Sequence, residues 1–328
     1  MSRVVVFDRF GGPEVLHVVD EEAPVPSPGE VGVRVEATAV NPIDAMMRAG
    51  ASPAPVPLPH ARLGIEATGI VEAVGDGVAG VAVGDAVIVT AIPDAHRRGS
   101  YADRITVAAN SVIPRPAELT VPEAAAVWVA FSTAFGALVE VGGMRPGERV
   151  VISGASGGVG RAAIQLANRI GAEPIAVTRR SARVSELRAA GAAEVVATDE
   201  VDLVDAVREI TGGAGADIAL DLVRGPGQRE LIRALRPSGS LVAAGFLDSR
   251  PTPPVEDPTV RVANYRGFGL LSDTAAVARM AASLNDGVRA GAFRPAVDTV
   301  VPLERIVEAH ERFERGENGG RKIVVTTV

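Results

Sequence analysis

The chain has 328 residues, enough for two hydrophobic cores, and its 33 basic and 40 acidic residues give a net charge of −7, which argues against general nucleic-acid affinity. It contains no cysteine, which excludes disulfides and every thiolate-bound metal. Hydrophobic residues make up 47%, yet no uninterrupted apolar run reaches the roughly 18 residues of a membrane span, so a soluble globular protein with no membrane segment is expected.

Arg3, Asp8 and Arg9 interrupt the opening stretch, which therefore lacks the apolar core of a signal peptide, and a cytoplasmic location is expected. Short apolar runs follow at Val4 to Phe7, Val31 to Val40, Ile65 to Val74, Ala86 to Thr90 and Ile105 to Val107, separated by Pro, Gly and Asp. They predict a largely antiparallel β domain with a barrel-like core. The proline-dense stretch Ala51 to Pro59 predicts a loop.

From about Val121 the texture changes. Helical patterns at Pro122 to Val141, Gly160 to Ile170, Ser181 to Ala190, Val201 to Thr211 and Pro226 to Leu235 alternate with predicted strands. These strands are Arg149 to Ser153, Pro174 to Thr178, Glu194 to Ala197, Asp217 to Asp221, Ser240 to Ala244 and Tyr265 to Leu270. Strands joined by helical crossovers make a doubly wound parallel sheet, so the fold class is α/β. Thr274 to Ala290 and Leu303 to Glu314 read as helices, and Lys322 to Thr327 as a strand. They are assigned back to the first domain, giving expected domains of 1–121 with 271–328, and 122–270.

The run Val150-Val151-Ile152-Ser153-Gly154-Ala155-Ser156-Gly157-Gly158-Val159-Gly160 is a buried strand turning through glycines into a helix. A diphosphate can approach such a turn because Gly157 has no side chain and the new helix presents free N–H groups. Ser156, Gly157, Gly158 and Val159 are therefore candidate cofactor contacts; an ordinary glycine turn is the alternative. At the end of the next strand, Thr178 is followed by Arg179, Arg180, Ser181 and Arg183. An NAD site usually has a carboxylate there, whereas guanidinium groups and a hydroxyl suit a 2′-phosphate, so NADPH is the expected cofactor. A solvated arginine face is the competing account. His17, His60, His96 and His310 are scattered without ligand spacing, so no metal is expected. Lys322 is the only lysine, which removes most candidates for a Schiff-base nucleophile.

The order of elements resembles the zinc-independent branch of the medium-chain dehydrogenase/reductase superfamily, the quinone oxidoreductases and enoyl reductases. The segments that carry the resemblance are 40–44 (Val-Asn-Pro-Ile-Asp), 63–69, 83–87, 99–103, 132–135, 154–160 and 320–324. It implies a GroES-like β-rich catalytic domain and a Rossmann domain that binds NADPH. Where zinc-dependent relatives place a cysteine, a histidine and a second cysteine, this chain has Asn41, Ile65 and an apolar residue near Val129. Without zinc there is no Lewis acid to form an alkoxide. Hydride transfer to a quinone or to the β-carbon of an enone or enoyl thioester remains accessible, because the acceptor delocalises its own negative charge.

Carried over by position, the resemblance puts Thr133 near the nicotinamide or its ribose, with Val223, Gly245, Phe246 and Leu247 flanking the ring and Phe268 to Leu270 closing its far side. Thr198 stands where many relatives have a tyrosine near the adenosine phosphate. Arg321 looks like the basic residue facing the diphosphate, with Glu66 orienting it; a structural ion pair is an equal account. Asn41 is the candidate substrate-facing group, with a plain Asn-Pro turn as the alternative. Ser52 stands where mitochondrial-type enoyl reductases have a tyrosine, and Asp44 braces the loop, so the proton donor is open. A homodimer paired through the apolar edge near 260–271 is expected. The competing function is a noncatalytic NADPH-binding sensor or binding protein.

Overall fold

Valine-rich strands with most of their residues buried dominate the first third of the chain, and in the computed structural model they build two sheets. The structure describes residues 1–52, 54–255, 257–267 and 273–327. The strands are β1 (Ser2–Phe7), β2 (His17–Glu21), β3 (Glu30–Ala39), β4 (Ala61–Arg62), β5 (Ala67–Val74), β6 (Ala86–Val89), β7 (Arg104–Ala108) and β8 (Val112–Pro114). Helices α1 (Pro42–Ala49) and α2 (Ala95–Arg98) interrupt them. Along β3 the side chains of Val31, Val33, Val35, Ala37 and Ala39 are all buried, as the two-residue period of a strand requires when one face meets a core. The three valines share their core with Phe7, Leu63, Tyr101 and Ile105, whereas Ala37 and Ala39 pack with Ala125, Ala126 and Val324.

Helix α3 (Val121–Phe135) follows and continues as a π-helical segment, Gly136–Val141. Together they are long and apolar enough to cross a membrane, but 67% of that stretch is buried inside the protein, as in a core helix. Strands β9 (Arg149–Ile152), β10 (Glu173–Thr178), β11 (Glu194–Ala197), β12 (Ala216–Asp221), β13 (Leu235–Ala243) and β14 (Arg261–Asn264) come next. Between them lie α4 (Gly158–Ile170), α5 (Val184–Ala189), α6 (Leu203–Ile210) and α7 (Gln228–Arg233). All pairings are parallel, and the sheet order is β11-β10-β9-β12-β13-β14, the doubly wound arrangement. Its switch point lies between β9 and β12, where Ser153 Oγ donates to Asp221 Oδ1 at 3.0 Å.

The chain ends with α8 (Thr274–Arg289), β15 (Val297–Pro302), α9 (Ile306–Glu314) and β16 (Lys322–Thr326). β16 pairs antiparallel with β3, so the last strand completes the larger, seven-stranded sheet, in the order β15-β16-β3-β5-β6-β8 with β7 also paired to β3, while β2-β1-β4 form the smaller one. Two units result: Met1–Val129 with Arg294–Val328, and Ala130–Phe293.

Two expectations are corrected. Helix α8 belongs to the second unit, not the first, because its Met280 and Leu284 face Phe131, Phe135 and Phe293, and its Arg279 pairs with Glu140 at 2.8 Å. The last strand of the parallel sheet is Arg261–Asn264, ahead of the expected Tyr265 to Leu270. Tyr265 leaves the ladder after its N–H meets Ala243 O at 2.9 Å, and its ring packs where a Cβ on Gly136 would stand, 2.4 Å from Tyr265 Cε2. Phe268 and Leu270 lie outside the described residues.

Candidate functional site

In the second unit, Gly157 is the N-cap of α4 and Gly171 ends that helix in the left-handed conformation, φ 88°. A Cβ on Gly160 would lie 2.6 Å from both Ala155 Cα and Gly154 O, so packing of the turn demands that glycine. Gly157 differs. A Cβ there would meet only Gly154 O at 3.3 Å, so the space beside it is left open in front of the N–H groups of a thirteen-residue helix. Ser156, Gly158 and Val159 complete this mouth, and a diphosphate fits it.

At the end of β10, Thr178 is buried and accepts from Arg180 N at 3.3 Å, and Arg179 and Arg180 are exposed, their guanidinium groups without a hydrogen bond or ion pair among the described residues. Arg179 acts electrostatically on Asp248, whose pKa is lowered to about 2, chiefly by its hydrogen bonds to Arg250. Ser181 is already committed. Its N–H and hydroxyl both donate to Asp199 Oδ2, at 2.9 and 3.2 Å. Arg183 pairs with Glu186, which also holds Arg161. The two free guanidinium groups are therefore Arg179 and Arg180, and sequence reasoning missed Asp199, which an acidic residue just past a strand's C-terminus could have signalled.

The residues expected around a nicotinamide are positioned by a buried carboxylate that sequence reasoning also missed. Asp221, 1% exposed at the end of β12, accepts from Ser153 Oγ, Val223 N, Arg224 N and Gln228 Nε2 at 2.8–3.0 Å. It fixes the turn in which Arg224 adopts φ 66°, ψ −153°, a conformation that costs a side-chain-bearing residue about 1–3 kcal/mol and is often found at functional sites. The Arg224 side chain then reaches Gly245 O at 3.0 Å and Asn264 Oδ1 at 2.5 Å. A Cβ on Gly245 would overlap Leu222 O at 1.7 Å, so this glycine is fixed by packing. Phe246 and Leu247 beyond it are exposed, and Thr133 is half-buried on α3.

In the first unit, Pro42 opens α1 with the backbone angle that a first helical turn needs, and Asn41 precedes it as N-cap. Asn41 is 2% exposed. Its Nδ2 donates to Ala39 O at 3.1 Å and to Glu66 Oε1 at 2.9 Å, while its Oδ1 accepts from Lys322 Nζ at 2.5 Å. Two acceptors on one side and an ammonium on the other fix which way the amide points. Glu66 Oε1 also accepts from Lys322 Nζ at 2.5 Å, and Glu66 Oε2 from Val129 N at 2.9 Å.

Glu66 therefore pairs with Lys322, and Arg321 pairs elsewhere, with Asp298 at 2.5 Å. Neighbouring side chains at a strand point to opposite sides, so a one-residue difference in register decides which cation enters the core. The missed residue had a signal, as the only lysine in the chain. Ser52 stands apart; its Oγ accepts from Ala54 N at 3.3 Å.

Asp44 is buried and accepts from Asn41 N, Gly64 N and Tyr101 Oη at 2.9, 3.0 and 3.1 Å. Burial pushes its pKa up to about 6, against the lowering effect of those donors and of Lys322. His310 Nε2 lies 3.3 Å from Tyr101 Oη, and Arg48 Nη1 lies 3.0 Å from His310 Nδ1. Arg48 can only donate, so His310 accepts at Nδ1, donates from Nε2, and Tyr101 donates to Asp44. Every donor in the chain points toward Asp44.

His310 is held neutral, its pKa lowered to about 3 by burial and then by Arg48. Because 3 lies below the ordinary 6.5, this group's stability contribution is complete above pH 6.5 and is lost as pH falls toward 3. Asp44 has the opposite sign, since its contribution is complete below 3.8 and is lost as pH rises through about 6. On going from pH 7 to pH 5 the first costs about 2 kcal/mol and the second returns about 1 kcal/mol, so they partly offset each other. His310→Gln keeps the donor and acceptor and removes the titration. Its stability change between pH 7 and 5, from urea midpoints, is expected to be more favourable than wild type by about 2 kcal/mol; identical pH dependence in both proteins contradicts this assignment.

Residues 27–117 match the family described as alcohol dehydrogenase GroES-like domain, and residues 158–284 the family described as zinc-binding dehydrogenase. The quinone oxidoreductase of Homo sapiens is 30% identical over 327 residues, covering 99% of this chain and 97% of that protein. The chain belongs to the quinone oxidoreductase family. Among solved structures, this family member superimposes on the quinone oxidoreductase of Pseudomonas syringae pv. Tomato DC3000 with a TM-score of 0.90 at 27% identity, covering 99% of this chain and 100% of that one. The Escherichia coli quinone oxidoreductase complexed with NADPH gives 0.89 at 26% identity, with coverage of 99% and 100%. These matches bear out the resemblance to the medium-chain dehydrogenase/reductase superfamily and the GroES-like and Rossmann architecture.

Proposed function

We propose that this family member is an NADPH-dependent oxidoreductase that reduces a quinone, or the conjugated double bond of an enone or enoyl thioester, without zinc. The observation that carries the reading is the pairing of an open turn at Gly157 with two unengaged guanidinium groups, Arg179 and Arg180, at the end of β10. The first suits a diphosphate and the second a 2′-phosphate. NADPH, when bound, supplies a hydride with its electron pair. The chain's own residues hold the cofactor through the turn, through Arg179 and Arg180, and through the backbone of Val223 and Gly245 that Asp221 and Arg224 position.

Zinc-free chemistry is supported by the donor set. The chain has no cysteine, and the position of a metal-binding histidine in zinc-dependent relatives is Ile65. Quinone reduction is expected to survive prolonged chelation undiminished. Stoichiometric zinc in the active protein, with activity lost on stripping it, overturns this part of the proposal. The reading also includes a homodimer through β14, the outermost strand of its sheet, which sedimentation at micromolar concentration tests against a monomer mass.

A further inference from the structure

We propose that Arg250 is a further cofactor-binding residue: its guanidinium group takes the diphosphate of the dinucleotide at the glycine turn, and Asp248 is the positioning residue that holds it there. The inference rests on the cofactor half of the reading above, and every residue in it belongs to the second unit.

The segment after β13, residues 245–252, forms a strap tied to the turn that follows β12. Arg224 Nε donates to Gly245 O at 3.0 Å, Asp248 N to Val223 O at 2.9 Å, and Gly225 N to Thr252 Oγ1 at 3.1 Å. A Cβ on Gly225 would lie 2.5 Å from Asp248 Cγ, so the carboxylate rests directly on that backbone. The same turn also touches the glycine turn after β9, because a Cβ on Gly154 would stand 3.3 Å from Val223 Cγ2 and 3.4 Å from Leu222 Cβ. The strap therefore sits at the switch point between β9 and β12, the place at the carboxyl ends of the strands where an open parallel sheet binds its ligand. Arg179 and Arg180 stand one strand further away, at the end of β10. The charge of Arg179 still reaches the strap, where it adds to the Arg250 hydrogen bonds in lowering the Asp248 pKa.

Arg250 is the cation of the strap. Asp248 Oδ1 accepts from Arg250 N and Nε at 3.0 Å, and Asp248 Oδ2 from Arg250 Nη2 at 2.6 Å. This fork holds one edge of the planar guanidinium and fixes its orientation. The Asp248 side chain is only 17% exposed, whereas that of Arg250 is 71% exposed, and its Nη1 has no partner among the described residues. The pair thus presents N–H donors to an incoming anion, and the carboxylate oxygens stay covered.

The test uses the full chain and measures binding. Because Arg250 is exposed, Arg250→Ala is expected to fold with a urea midpoint close to wild type. It should weaken NADP+, NAD+ and ADP-ribose, which all carry the diphosphate, by about tenfold each, and leave 2′-AMP, which lacks it, within about twofold. Asp248→Asn should weaken ADP-ribose by about threefold in the wild-type background and have no further effect once Arg250 is alanine. Unchanged ADP-ribose affinity in Arg250→Ala overturns the proposal and leaves the cofactor reading standing, since that reading depends on Arg179 and Arg180. A loss confined to NADP+ and 2′-AMP moves Arg250 to the 2′-phosphate and overturns the diphosphate assignment. An Asp248→Asn effect that persists in the Arg250→Ala background overturns the positioning role. If the wild-type protein binds none of these ligands, the cofactor reading fails, and this inference with it.

Discussion

Glu66→Ala is expected to destabilise the protein by about 3–5 kcal/mol, the usual cost of leaving one partner of a buried ion pair without its counter-charge. Glu66 is fully buried, and its removal strands the Lys322 ammonium, one Asn41 amide hydrogen and the Val129 N–H together. A buried pair is weak evidence for net stability, because desolvation offsets much of the Coulomb gain. The informative measurement is therefore a cycle: Glu66→Ala, Lys322→Ala and the double variant compared by urea unfolding. Removing both members should cost less than the sum of the single losses by about 1–3 kcal/mol. Strict additivity, with each single variant losing less than about 1 kcal/mol, contradicts the ion-pair assignment.

The second large effect is on cofactor choice. Replacing Arg179 and Arg180 together with alanine should weaken NADPH binding by on the order of a hundredfold and leave NADH binding within about twofold. Each charge-assisted bond to a 2′-phosphate contributes about 1.5–3 kcal/mol, and both side chains are exposed, so the lower end applies. Ser181 adds little, because Asp199 already takes its N–H and hydroxyl. A double variant that keeps its full preference for NADPH in a binding titration removes the phosphate role from this pair.

The parallel sheet was legible because its strands are short apolar runs separated by helical periods, and the observed elements follow that alternation from Arg149 to Ala243. The glycine turn was legible for a similar reason: a strand, a glycine cluster and a helix in direct succession leave few other geometries. What escaped depends on contacts between residues far apart in sequence. Whether Arg321 or Lys322 enters the core depends on the direction of side chains at β16, and a one-residue difference reverses it. Asp221 and Asp199 look like ordinary turn aspartates until the fold brings Ser153 and Gln228 to one, and Ser181 to the other. The chain Arg48–His310–Tyr101–Asp44 joins residues up to 262 positions apart, and no local pattern announces it. The strand after Val260 was misplaced because the apolar run near Tyr265 suggested pairing, whereas Arg261–Asn264 makes the ladder.

Anaerobic oxidation of NADPH against quinones, enones, enoyl thioesters and saturated alcohols, with chelator present, tests the central claim most directly. Among the described residues of the Asn41 cluster no carboxylate is left unengaged to take an alcohol's proton, since Asp44 is enclosed by three donors and Glu66 accepts from Asn41, Lys322 and Val129. The expected result is NADPH consumption that depends on a quinone or conjugated acceptor, with no NADP+-dependent oxidation of aliphatic alcohols. Tight NADPH binding with every acceptor left unreduced would contradict the account and favour a noncatalytic cofactor-binding protein, and robust alcohol oxidation would contradict its chemistry outright.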